Sequence, residues 1–430
     1  MGMNVAAFGV LGYGENPWVH RPPGYPLWLG ALLRATADPR VLSHDEVFRR
    51  GAVVARVGDS LLLGVSSLFL FVWLARRLRP STAFAAAVLL GTNAYTLVMA
   101  TLIHYDMLQW AATLGVIVLL DGAFSRPAEV ARRRFLGAGI ALGLLTLIRP
   151  VTLLAPATLL PLFLLGGRGR RSKTNYLLLT AGMAIALLPW TLRNFAITGR
   201  LIPVNVQGWT AVFGSTSEVA RRDPDRYEWG LLTLRHYLPL FKSVTGESDY
   251  RFDAYVTHIL PLEDEAKRRA LQNIAEKPGI YLSNVLNAAR SLTTDVNAVL
   301  LTAFTRVQSG EGFDRRWIFL GVRKAMNRGP EAHAFQLLHD LLLGAAAISL
   351  GVGLVRRDLF MAPALGIWGA ILATHALSYL DFYYYAAKIP FLVAFAFYGI
   401  DALPRAPRYG VIGGLLALSL GLSWSMRLLG

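Results

Sequence analysis

The chain has 430 residues, 54% of them hydrophobic and only 16% charged, with a formal net charge of +16. An ordinary soluble protein is about 25% charged, so this composition excludes a soluble globular domain of comparable length. The absence of cysteine excludes disulfides and thiolate metal sites, and the scattering of the basic residues in clusters between apolar blocks argues against a nucleic-acid surface.

In chain order, residues 1–47 contain no segment long enough to span a bilayer. They do contain "VHRPPGYPLWL", in which Arg21 stands between His20 and two prolines, directly before an apolar run. Pro22 and Pro23 stiffen the backbone and remove two amide donors, which fixes Arg21 in place. Candidate spans follow at 57–75, 81–98, 102–120, 135–148, 151–166, 176–195, 333–355, 360–379, 385–402 and 409–427. Basic clusters fall at alternate ends of these spans: Arg76, Arg77 and Arg79; Arg126 and Arg132 to Arg134; Arg168, Arg170, Arg171 and Lys173; Arg356 and Arg357; Arg405 and Arg408. One topology accommodates them all, with these clusters inside.

The stretch 135–166 would be about 48 Å long as one helix, against a bilayer core of about 30 Å. "IRPVT" interrupts it, and a proline disfavours helix in the residue before it. The spacing therefore predicts two helices with Arg149 at an outer turn, where it needs an anionic partner or water, or snorkels to the interface. Upstream, "TLIHYDMLQW" places His104 and Asp106 at the outer end of a span. An acid there is costly unless it meets a partner or a polar cavity, or is exposed to water. Two positions apart on a helix, His104 and Asp106 point different ways and share a ligand only if the helix begins after them. Arg56 and Asp59, three apart, lie on one helix face and are read as a structural ion pair. In "PWTLRNFAITG", Arg193 is either a cation facing the same outer site or an interfacial anchor.

Residues 196–332 are the long polar stretch, nearly balanced in charge, and alternation puts them outside. "LEDEAKRRALQNIAEKPGIYLSNVLNAARSL" has helical spacing divided at Pro278 and Gly279, so a small extracytoplasmic helical layer is expected. "DFYYYAAKIPF" then opens a span with Tyr383, Tyr384 and Lys388, readable as an aromatic belt with a snorkelling lysine or as a cation for a lipid phosphate. The organisation is an N-terminal transmembrane part (1–195), an extracytoplasmic region (196–332) and C-terminal transmembrane helices (333–430). No GxxxxGK[ST], GxSxG or HExxH motif occurs.

Taken in order, "RPPGYPLWL", "LTLIRPVTLL", "PWTLRNFAITGRLIPV" and "YYYAAKIPFLVAFAFYGI" resemble the GT-C membrane glycosyltransferases. They are most similar to the bacterial relatives of protein mannosyltransferases and of lipid A aminoarabinose transferase. The resemblance implies an all-α polytopic bundle of about ten transmembrane helices in a bacterial inner membrane. It also implies a sugar carried on a polyprenyl phosphate and a lipid, glycan or protein acceptor at the outer face. On that resemblance Arg21, Arg149, Arg193 and Lys388 would bind the donor phosphate, Asp106 would be the catalytic carboxylate, and His20, Tyr25, His104 and Tyr384 would line the cavity. His20 stands where some relatives have a metal-ligating glutamate, so a divalent metal is admitted although no cofactor is required. Two departures stand out. Tyr383 and Tyr384 fill places where many relatives have Arg-Tyr, and no aspartate precedes "RPPGYP", Glu15 being the sole acid there. The chain therefore reads as lacking a first helix and its loop, or as a lipid-binding remnant without the catalytic acid. A transporter or lipid flippase is the alternative from another class, since broken helices and intramembrane charges also suit translocation, although no inverted repeat is visible.

Overall fold

The structure, a computed structural model, describes residues 5, 9–13, 16–36, 44–101, 104–126, 128–165, 173–217, 237–249, 252–294, 330–355, 360–377 and 387–428. It begins with a minimal hairpin, β1 (Gly12–Tyr13) and β2 (Asn16–Pro17), in which Gly12 opposes Pro17. Among the described residues every later element is a helix. A short helix, α1 (Gly24–Thr36), leads to the long α2 (His44–Leu74). Then come α3 (Pro80–Thr92), α4 (Ala94–Thr101), α5 (Asp106–Phe124), α6 (Ala128–Ile148), a 3₁₀ turn at Pro150–Thr152, α7 (Ala155–Leu165) and α8 (Lys173–Thr198).

Within these, Gly51–Leu74, Asp106–Phe124 and Lys173–Thr198 are long and apolar enough to cross a bilayer, and shorter apolar helices accompany them. The chain is an integral membrane protein. On α2, Val53, Val57, Leu61, Val65, Leu68 and Val72 recur every three or four residues and are all exposed. Such a stripe is unfavourable in water but suits the acyl chains of a bilayer. The opposite side of the same helix buries Leu62, Leu63, Leu70, Trp73 and Leu74 in the bundle core.

Two breaks differ from simple spans. The expected span 81–98 is divided at Asn93, which is extended (φ −62°, ψ 133°) and buried. A break inside a bundle strands helix carbonyls. Here the Thr96 hydroxyl lies 2.7 Å from both Leu90 O and Asn93 O and shares its proton between them. The other break falls at Arg149, extended (φ −148°, ψ 122°) before Pro150, as the steric restriction on a residue preceding proline requires.

Glycine sets the tightest seam. A Cβ on Gly139 would lie 2.1 Å from Leu179 O, and one on Gly182 would lie 2.3 Å from Leu136 O. Thus α6 and α8 touch backbone to backbone, which only residues without side chains allow.

Beyond α8 lies a layer of short helices: α9 (Gly208–Ser215), α10 (Leu238–Thr245), α11 (Phe252–Thr257), α12 (Ile259–Glu276) and α13 (Pro278–Thr294). The last two are divided at Lys277, beside the expected Pro278. Glu263 of α12 accepts the amides of Trp209 (2.5 Å) and Thr210 (3.0 Å), so a carboxylate satisfies the free N–H groups at the start of α9. The described residues of the C-terminal part form α14 (Pro330–Val355), α15 (Ala362–Leu377), α16 (Ile389–Asp401) and α17 (Arg405–Leu428).

Candidate active site

The stretch "HYDMLQW" and the turn "IRPVT" meet at the end of the bundle that carries the helical layer. Because α5 begins at Asp106 itself, His104 lies outside the helix and turns back on it. Its Nδ1 meets Asp106 Oδ2, while Arg149 Nη1 donates to Asp106 Oδ1 at 3.1 Å and to Gln109 Oε1 at 2.6 Å. Gln109 reaches the same guanidinium because it stands three residues along the helix from Asp106. Asp106 is wholly buried and Arg149 nearly so. The Arg149 guanidinium also lies over the Tyr105 ring, 4.8 Å from its centroid. A buried ion pair needs further bonds to its partners. Here an amide, an imidazole and an aromatic face supply several of them, none through Arg149 Nη2.

The "RPPGYP" loop is laid on this turn. A Cβ on Gly24 would sit 2.8 Å from Ile148 Cα, so Gly24 touches the residue before Arg149 backbone to backbone. One residue on, Tyr25 packs edge-on against Tyr105 (6.5 Å between centroids) and its hydroxyl donates to Asp59 Oδ2 at 3.4 Å. Helix α1 comes close enough for this because Gly58 leaves room: a Cβ there would be 2.6 Å from Leu32 Cδ1. Burial, then the charge of Asp59, pushes the Tyr25 phenol above its usual range and keeps it a hydrogen-bond donor.

The expected ion pair between Arg56 and Asp59 is therefore corrected. Asp59 is buried and turned to Tyr25 across to α1, and Arg56 is exposed. Their shared helix face gave the wrong partner because a residue from another helix, Tyr25, reached Asp59 instead.

A second group pins the loop to the helical layer. His20 is buried, stacks on Trp18 at 4.6 Å and sits with both ring nitrogens near Tyr255 Oη (3.1 and 3.3 Å). Burial, reinforced by the adjacent Arg21 charge, holds its pKa down at about 3, so the ring is neutral at physiological pH. Arg193 donates to Leu11 O at 2.8 Å, to Trp18 O at 3.3 Å and to Asn194 Oδ1 at 3.1 Å, and lies 4.3 Å from the Trp190 centroid. Its head group thus holds the hairpin and the residues leading to His20. The chain of 204–206 runs alongside: the Val206 amide donates to Val19 O (3.1 Å) and Asn205 Nδ2 to His20 O (3.2 Å).

Of the residues singled out in the sequence, Tyr25, His104, Asp106 and Arg149 gather in one cluster. His20 and Arg193 form the neighbouring group, and Arg21 lies between the two along the chain. Arg21 is exposed, with no hydrogen bond or ion pair among the described residues. Lys388, at the start of α16, is buried and donates to Thr293 O at 3.4 Å. Tyr384 lies outside the described residues. Among the described residues no three His, Asp or Glu side chains form a group able to hold a metal ion. Asp59, Tyr105, Gln109 and Tyr255 were not singled out as site residues. Tyr105 and Gln109 flank Asp106 in "HYDMLQW" and could have been, whereas Tyr255 is brought in only by the tertiary fold.

Fold and site together define an α-helical polytopic membrane protein with a buried charge cluster at one end of its bundle. No protein-family model matches the chain, and no curated protein matches it in sequence. Among solved structures, it is similar to the crystal structure of ArnT from Cupriavidus metallidurans bound to undecaprenyl phosphate. The identity is 16%, over 93% of this chain and 71% of that one, with a TM-score of 0.36. A likeness this distant leaves function to the site itself.

Proposed function

We propose that this protein is a membrane glycosyltransferase that moves a sugar from a polyprenyl-phosphate donor to an acceptor at the outer face of a bacterial inner membrane. The observation that carries this reading is the seating of the proline-stiffened loop on the turn of Arg149, through the contact of Gly24 with Ile148. That contact sets an exposed guanidinium, Arg21, on a loop whose next residues pack on a buried polar cluster at the ends of apolar helices. The motif order that resembles the GT-C enzymes points the same way.

The chemistry would be an inverting attack of an acceptor nucleophile on the anomeric carbon, with polyprenyl phosphate leaving. Arg21, with its donors uncommitted among the described residues, clamps the phosphate and stabilises the charge that develops on it. Arg149, fixed by Asp106 and Gln109, adds positive potential beside the reacting centre. Arg193 acts through the loop it holds, and Lys388 adds a cation from α16. The segment 1–195 carries Arg21, Arg149 and Arg193, and 333–430 contributes Lys388. No step is routed through a metal.

The test is release of undecaprenyl phosphate from an undecaprenyl-phosphate-linked sugar by protein in lipid nanodiscs. Arg21→Ala is expected to lower turnover by about 100-fold or more, in line with removal of one charge-stabilising donor, with an unchanged melting temperature. Unchanged turnover in this variant would remove Arg21 from the phosphate. Movement of a labelled lipid across liposomes without sugar transfer would instead support a flippase.

A further inference from the structure

The two buried carboxylates of the cluster are not equivalent. Asp106 has both oxygens committed, Oδ1 to Arg149 and Oδ2 to His104. Asp59 is equally buried but faces no cation: its Oδ2 accepts the Tyr25 hydroxyl, and its Oδ1 has no hydrogen-bond partner among the described residues. The backbone amide of His104 approaches the same carboxylate and helps to hold its charge. Burying a carboxylate without a counter-ion or a full set of donors is costly, and such cost is met at functional sites. Asp106 is held as an anion by a guanidinium and an imidazole, whereas Asp59 meets a hydroxyl that can hand it a proton through Oδ2.

We infer that Tyr25 and Asp59 form the proton-accepting dyad of the proposed transferase, and that Asp106 is a positioning residue that holds Arg149. This rests on the glycosyltransferase reading above. Tyr25 is only part-buried and stands between Asp59 and the loop of Arg21, so its hydroxyl is the atom that meets the acceptor. As the acceptor oxygen bonds to the anomeric carbon, its proton passes to Tyr25 Oη while the phenol proton passes to Asp59 Oδ2. The bond from the anomeric carbon to the phosphate oxygen breaks, and its electron pair leaves on polyprenyl phosphate. Asp59 later returns the proton to water. No further reactant is required.

The experiment compares Asp59→Asn, Tyr25→Phe and Asp106→Asn in nanodiscs, measuring undecaprenyl phosphate binding by native mass spectrometry beside sugar transfer. Asp59→Asn is expected to bind undecaprenyl phosphate as the unsubstituted protein does and to lose at least about 100-fold in turnover, the size of a missing general base. Tyr25→Phe is expected to lose about 10-fold or more with binding retained, and Asp106→Asn to lose thermal stability and binding as well as turnover. Carbodiimide labelling of the unsubstituted protein keeps the inference testable if Asp59→Asn fails to fold, since the reagent attacks carboxyls outside ion pairs. Peptide mapping should then find the adduct on Asp59 and not on Asp106. Turnover of Asp59→Asn within twofold of the unsubstituted protein, or labelling confined to Asp106, overturns the dyad and leaves the transferase reading standing. Unsubstituted protein that neither binds undecaprenyl phosphate nor transfers sugar overturns the transferase reading, and the dyad with it.

Discussion

The two ends of the helical bundle hold their ion pairs differently, one partly in water and the other buried. At the end away from the helical layer, Arg76 reaches Asp121 at 2.7 Å with a third of its side chain exposed, and also caps Val118 O. Arg134 donates to Gly122 O, and Asp401 accepts the Thr82 hydroxyl. These cations lie in the basic clusters, where long side chains reach water and bind free helix carbonyls. At the layer end Arg149 is 3% exposed against a carboxylate that is 0% exposed. At the first end the exposed Arg76 and Arg134 lie with the clusters that orient the chain in the membrane, while Arg408 of the same clusters is buried over the Tyr409 ring with no carboxylate beside it among the described residues. The layer end keeps a charge pair out of water, which stability alone does not reward. The proposed site rests on this buried pair at the layer end.

The sharpest way to break this contrast is to remove one half of the buried pair. Arg149→Met leaves Asp106 with only His104 and is expected to destabilise the protein by about 3–5 kcal/mol, read as a lower melting temperature in nanodiscs. Adding Asp106→Leu to it removes the orphaned charge. The double variant is expected to recover most of the loss while remaining inactive, because an apolar pair of similar volume replaces a buried ion pair at little cost. A double variant as unstable as the single one would mean that the pair is a stabilising strut, and the functional reading of this end would lose its support.

How much of this was legible in the sequence follows from which residues act locally. The break at Arg149 was readable because proline restricts its predecessor whatever the tertiary context. The division of α12 from α13 was readable for a similar reason. The break at Asn93 was not, since nothing in "LLGTNAYTL" forbids a continuous helix and Thr96 supplies the missing bond only once the chain has turned. In the site, Asp106 and Arg149 were legible as charges in apolar surroundings. The His104 contact was legible only as a condition on where the helix starts, which the structure meets. Asp59 was read as half of an in-helix pair because sequence spacing sees i and i+3 but not a tyrosine arriving from a different helix. Tyr255 lies more than two hundred residues from His20, and no local pattern links them.

A smaller effect sharpens the comparison at the seam between bundle and layer. Tyr255→Phe removes the hydroxyl that faces both nitrogens of His20 while leaving the ring contact at 5.1 Å between centroids. The expected loss is about 1 kcal/mol, the net worth of one neutral hydrogen bond, measured by thermal unfolding. A larger fall in turnover than in stability would indicate that the pin also sets the position of Arg21, the neighbouring residue.

The smallest effect belongs to the opposite end. Arg76→Ala removes the partner of Asp121, yet the guanidinium is 36% exposed. Such a pair is worth about 0–1 kcal/mol because water and side-chain entropy offset most of its attraction. The loss should shrink further as salt rises, since ions screen an exposed pair within a Debye length of about 8 Å at physiological strength. The buried Arg149 pair should show no such dependence, being shielded from mobile ions. Melting both variants at low and high salt separates the two ends directly: the Arg76 difference should fade and the Arg149 difference should persist. If both faded alike, water would reach Asp106, and the layer end would not be the dry site that its chemistry requires.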